Sequence, residues 1–98
     1  MIRLIIGDDA QADLLTAFSF YEDRLAGLGE RFRDHVDFAF SRIQIAPERY
    51  PIAHRDVRQR RVERFPYAVF YRVYPGLVLV VAVMHAKRAP ALLKRRAK

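Results

Sequence analysis

The chain has 98 residues, 52% of them hydrophobic and 30% charged, with a formal net charge of +7. That length supports a single domain spanning 1–98 with one small core, and the composition is that of a globular folder rather than a disordered chain. The absence of cysteine excludes disulfides and thiolate metal sites and fits a cytoplasmic protein.

The opening "MIRLIIGDDA" has too short an apolar run for a signal peptide, and no stretch reaches membrane-spanning length. "RLIIG" (Arg3 to Gly7) reads as a first strand, closed by glycine. Asp8 and Asp9 are each candidate caps for a following helix, and Asp8 with Gln11 has capping-box spacing. Leu14, Phe18, Tyr21, Leu25 and Leu28 then recur at helical steps, one apolar face of an amphipathic helix. "GLGE" (Gly27 to Glu30) interrupts it. Phe32, Val36, Phe40 and Ile43 form a second helical stripe that ends at Pro47 and Pro51. Two such helices joined by a glycine turn predict an antiparallel hairpin.

"PERYPIAHRD" (Pro47 to Asp56) reads as a loop, and after it the texture turns to β. "VRQRRVERF" (57–65), "PYAVFYRVY" (66–74) and "LVLVVAVMHA" (77–86) predict three strands, the last two joined by a turn at Pro75-Gly76. In the middle run Tyr67, Val69, Tyr71 and Val73 share one face, and Ala68, Phe70, Arg72 and Tyr74 the other. The last run has no polar position before His85, so it predicts a central strand covered on both faces. Pro90 followed by "ALLKRRAK" predicts a short basic C-terminal helix. The expected class is therefore α+β: a strand, an antiparallel helical hairpin, and a mainly antiparallel sheet of about four strands on which the hairpin packs.

The charge is segregated. Residues 1–49 carry six arginines against nine acids, a balance of −3, whereas residues 50–98 carry twelve Lys or Arg against two acids, a balance of +10. Fifteen of the 18 cations are arginine, the side chain that grips phosphate or carboxylate in bidentate fashion. A positive face meeting an acidic or polyanionic partner is expected. Glycine-rich phosphate loops, nucleophile elbows and paired metal-binding histidines do not occur, and Ser19 and Ser41 both fall inside the predicted helices. No cofactor or metal is expected. The remaining candidates are the cations of "RQRRVER" and of the last strand's end: Arg58, Arg60, Arg61, Arg64, Lys87 and Arg88 as phosphate- or target-binding groups. Period 2 puts Arg58, Arg60 and Arg64 on one face with Val62, in an edge strand blunted by charge. If the chain cuts RNA, Arg64, His85 and Arg88 are the candidate catalytic groups, with imidazole trading protons and guanidinium stabilising a pentacovalent phosphate.

The order β-α-α-β-β-β, the segment "YPIAHRDVRQRRVERFPYAVFYRV" and the later "VVAVMHAKRAP" together resemble the RelE/ParE superfamily of bacterial type II toxins, over roughly Ile2 to Pro90. The resemblance implies a small basic toxin held inactive by an acidic, partly disordered antitoxin that folds on binding, the complex contacting operator DNA through the antitoxin. ParE-like members poison DNA gyrase, and RelE-like members cut messenger RNA on the ribosome. Arg64, His85 and Arg88 match positions used in the superfamily. No Tyr follows Tyr74 and no Lys precedes Lys87, departures from the RelE nuclease pattern that tilt the expectation toward gyrase, with the endoribonuclease as the alternative. A third possibility is a non-toxic nucleic-acid-binding module stacking bases on Tyr67, Tyr71 and Tyr74.

Overall fold

The computed structural model describes residues 1–96. The elements run β1 (Arg3–Ile6), α1 (Asp8–Arg24), α2 (Leu28–Ile45), β2 (Ile52–His54), β3 (Val57–Arg61), β4 (Tyr67–Tyr74), β5 (Leu77–His85) and α3 (Ala89–Arg96). The predicted continuation of the last helix through 97 and 98 lies outside the described residues. The sheet has five strands in the order β1-β5-β4-β3-β2, one more than expected. The extra strand is β2, three residues inside the segment read as a loop, too short to show alternation. Only β1, paired with β5 from Arg3↔Leu77 to Ile6↔Val80, is parallel. No helix among the described residues is long and apolar enough to cross a membrane.

The sheet is sandwiched between two unequal layers. On one face α1 (Ala10, Leu14, Ala17) and α2 (Phe32, Val36, Phe40, Ile43) bury against Val62, Val69, Tyr71, Val78, Val80 and Val83. On the other, Ala89 and Leu93 of α3 cover Val57, Ala68, Phe70, Ala82 and Met84. The period-2 assignment of β4 therefore holds, and β5 is central and covered on both faces as its uninterrupted apolar run requires. One irregularity was not legible: Phe70 pairs with Ala82 and Tyr71 with Val80, so Val81 is the extra residue of a β-bulge. Gly76 adopts φ 71° in the β4–β5 turn, the left-handed backbone predicted for a type II turn.

Three local expectations are corrected. The N-cap of α1 is Gly7, with no side-chain cap; Asp8 and Asp9 lie inside the first turn, where their charge opposes the positive helix end. Leu25 terminates α1 in extended backbone and is 58% exposed, so the buried stripe stops at Tyr21. Finally, "GLGE" is less a stop than a splice. The Glu22 carboxylate accepts the Gly27 and Gly29 amides, each at 2.9 Å, capping α2 from α1. A Cβ on Gly29 would lie 2.8 Å from the Phe18 carbonyl oxygen and 2.9 Å from Glu22 Oε1. Gly29→Ala should therefore cost about 1–3 kcal/mol, read as a lower chemical-denaturation midpoint, with Gly27→Ala acting instead through its φ of 88°.

β3 also differs. It ends at Arg61, because Val62 turns into the core and its amide donates to Tyr67 O at 2.9 Å. Arg64 then sits in the turn with φ 67°, so it does not continue the Arg58–Arg60 face. Over its first residues β3 is not an edge, since Ile52 and His54 pair with Arg58 and Val57.

The segment after α2 is held by side-chain donors. The Tyr71 hydroxyl donates to Pro47 O at 2.6 Å, and Arg58 Nη1 donates to the carbonyls of Tyr50 (2.7 Å) and Glu48 (3.2 Å). Tyr71 is fully buried, and burial pushes its phenol up to about 12 from 10.0. The folded state thus holds this proton more tightly than the unfolded chain. Stability present below about pH 10 is lost as pH rises toward 12, by about 2–3 kcal/mol. Thermal melting between about pH 9 and 12 should show this decline, and Tyr71→Phe should flatten it.

Candidate functional site: the basic end of the sheet

β4 begins and β5 ends at the same end of the sheet, where Tyr67 pairs with His85. Tyr67 packs inward on the hairpin, its ring 5.1 Å from Phe32 and 5.9 Å from Tyr21 between centroids. The His85 ring lies 6.0 Å from that of Tyr67. Immediately after His85 the chain folds back. The Lys87 amide donates to His85 Nδ1 at 3.2 Å and the Arg88 amide to His85 O at 3.0 Å. With Nδ1 accepting, a neutral imidazole carries its proton on Nε2 and offers a donor. The tight turn exposes Lys87 and Arg88 before α3 begins.

Arg88 and His85 border a pocket of about 410 Å³ with Thr16, Phe20 and Tyr21 of α1 and with Tyr67. A smaller cavity of about 180 Å³ continues past Asp13 to Leu92 of α3. Burial raises the Tyr67 phenol above its ordinary value, against the opposing pull of Arg88, and burial likewise raises Tyr21. Both phenols are neutral hydroxyls at physiological pH. The pocket thus combines aromatic walls, hydroxyl and imidazole donors, and an exposed guanidinium, an arrangement suited to gripping an anionic or carbonyl-rich surface.

The predicted cations do not form one ridge. Arg64 stands at this same end, because its turn is tied to the His85–Arg88 turn by the Ala86 amide donating to Pro66 O at 2.9 Å; its side chain is exposed and lines neither cavity. Arg60 and Arg61 border a separate cleft of about 490 Å³ with Tyr50, Pro51 and Glu63. There the Arg60 guanidinium lies 5.7 Å from the Tyr50 ring centroid and 5.6 Å from that of Phe38. Burial raises the Tyr50 phenol, but hydrogen bonds from Arg60 and Arg42 outweigh it and hold the group below its ordinary value. Arg58 is occupied inside the protein by the carbonyls of Glu48 and Tyr50. Strand periodicity grouped Arg58 with Arg60 correctly, yet their face is the one under the α1–α2 hairpin.

The α1 contribution was missed from sequence. Phe20 lies off the apolar stripe and is 47% exposed, and an unstriped aromatic was the available signal. Thr16 gave none.

A family model described as ParE toxin of type II toxin-antitoxin system, parDE, matches residues 4–90, a span that includes His85 and Arg88. No curated protein matches the chain. Among solved structures, one titled "Chromosomal ParDE TA system from P. aeruginosa" is similar, with a TM-score of 0.77 at 18% identity, covering 87% of this chain and 96% of that one. At that identity the likeness speaks for the fold. With the fold and the matched span agreeing, the chain belongs to the ParE toxin family of parDE type II toxin–antitoxin systems, whose toxins inhibit DNA gyrase.

Proposed function

We propose that this toxin arrests growth by binding DNA gyrase through the basic end of its sheet, with Arg88 and His85 as central contacts and Arg64 and Lys87 at the rim. A cognate antitoxin, acidic and partly disordered until bound, neutralises it by bringing carboxylates to the same end, and operator DNA is contacted only through that complex. Gyrase works on the chromosome, so the toxin acts in the cytoplasm. The observation that carries this reading is the family match across residues 4–90. The chemistry of the pocket supports it. The Lys87 amide occupies His85 Nδ1 and burial raises the neighbouring Tyr67 and Tyr21 phenols, so the pocket offers hydroxyl donors beside the Arg88 guanidinium to a partner surface.

The test is induction without antitoxin while methionine and thymidine incorporation are followed together, paired with a supercoiling assay on purified gyrase. Thymidine incorporation should fall first, with a DNA-damage response and lost supercoiling. Prior collapse of protein synthesis with cleaved messages would instead make the chain a ribosome-dependent endoribonuclease. Induction without harm would leave only a binding module.

A further inference from the structure

β1 stops pairing with β5 at Val80, and the Gly7 amide closes that ladder on Val80 O at 2.9 Å. Beyond it, among the described residues, the outer edge of β5 has no strand beside it. Two side chains occupy the position instead. Asp13 Oδ2 of α1 accepts the Val83 amide at 3.0 Å. Arg96, in the last turn of α3, donates to both Asp13 carboxylate oxygens, at 2.7 Å to Oδ2 and 3.0 Å to Oδ1. Its Nη1 also lies 3.5 Å from Val81 O. An acceptor at residue 83 and a donor near residue 81 reproduce what a sixth strand would offer. The pair is largely shielded, the side chains being 16% (Asp13) and 24% (Arg96) exposed, so its geometry is better determined than that of a surface ion pair.

The consequence is mechanical. Asp13 joins α1, β5 and α3 at one point, two residues from His85 along β5 and one helical turn from Thr16 along α1. α3 is eight residues long, too short to stand alone, and is held at its start by Ala89, in mid-course by Leu93 and at its end by Arg96. The turn bearing Arg88 is the direct extension of that helix. We propose that Asp13 and Arg96 are positioning residues: they latch α3 onto the open edge of β5 and so hold Arg88 over the His85 pocket in the orientation that the target meets. Asp13 lies within the span matched by the family model and Arg96 beyond it. The positioning role rests on the reading of the Arg88–His85 end as the target-binding surface.

The test compares R96Q, D13N, R96K and the double variant D13N/R96Q in the full chain. Amide hydrogen exchange reports on α3, and gyrase inhibition reports on the site. In R96Q the α3 amides should exchange at least about tenfold faster while the hairpin amides do not change, and inhibition should weaken about tenfold. R96K, which keeps the charge, should restore most of both. The double variant should be no weaker than the worse single one, because each breaks the same pair. Unchanged α3 exchange in R96Q would overturn the latch. Faster exchange with full gyrase inhibition, in a background where R88A is inactive, would overturn the positioning role and leave the functional reading standing. If R88A and H85A also inhibit fully, both fail together.

Discussion

Arg88→Ala should abolish growth arrest, and His85→Ala should weaken it severely, each with thermal stability close to that of the parent. Arg88 is exposed, makes no ion pair among the described residues, and stands beside aromatic walls formed by Phe20, Tyr21 and Tyr67. An arginine free of internal partners at an aromatic pocket has the character of an interface hot spot, whose truncation costs about 2 kcal/mol or more. The concentration needed to inhibit gyrase should then rise about thirtyfold or more. Arg58→Ala is the instructive contrast. Its guanidinium satisfies the Glu48 and Tyr50 carbonyls, so its loss should lower the melting temperature first and reduce toxicity only through stability. Arg64 needs a different substitution. At φ 67° alanine retains a strained backbone whereas glycine relieves it, so Arg64→Gly isolates the side chain's part in toxicity. Retained inhibition by both Arg88→Ala and His85→Ala in the supercoiling assay would mean that another surface meets gyrase.

What could be read in advance followed from period and punctuation. Tyr67 to Tyr74 alternates because two different layers cover its faces, and the assignment of Tyr71 and Phe70 to opposite faces holds, Tyr71 under the hairpin and Phe70 under α3. The helical stripes of Leu14 and of Phe32, Val36, Phe40 and Ile43 were equally plain, since only a 3.6-residue repeat places them on one line. The run from Leu77 to Met84 announced a central strand but could not reveal Val81 as a bulge, because an unbroken apolar series carries no phase. β2 escaped notice because its three residues are a strand only by virtue of β3. The site divided in the same way. His85 and Arg88 were legible as polar residues closing an apolar strand, which places them at a sheet end. The involvement of Thr16 and Phe20, and the hydrogen bonding of Arg58 to the segment after α2, depend on how the hairpin lies across the sheet. That geometry is set by tertiary packing and not by local pattern.

The bulge also decides which core substitution is fatal. Val80→Asp should leave no folded protein. Val80 is fully buried and pairs with Ile6 on one side and Tyr71 on the other, beneath the helical hairpin. A carboxylate there loses about 1.5–3 kcal/mol of side-chain burial and adds several more for an unpartnered charge. That loss is of the order of the entire stability of a domain this size. The hydrophobicity of the run alone would make Val81→Asp just as damaging, but the structure separates them. Val81 is the bulged residue, partly exposed, on the stretch of β5 that β1 no longer covers. A carboxylate at its Cβ can reach water, and the Arg96 guanidinium is already close to the Val81 carbonyl. Val81→Asp should therefore fold, with a loss of about 1–2 kcal/mol from its packing on the α3 face. Far-UV circular dichroism and a melting curve on both variants read the difference directly. Equal loss of structure in the two would show that Val81 is as enclosed as Val80 and that β5 runs without a bulge.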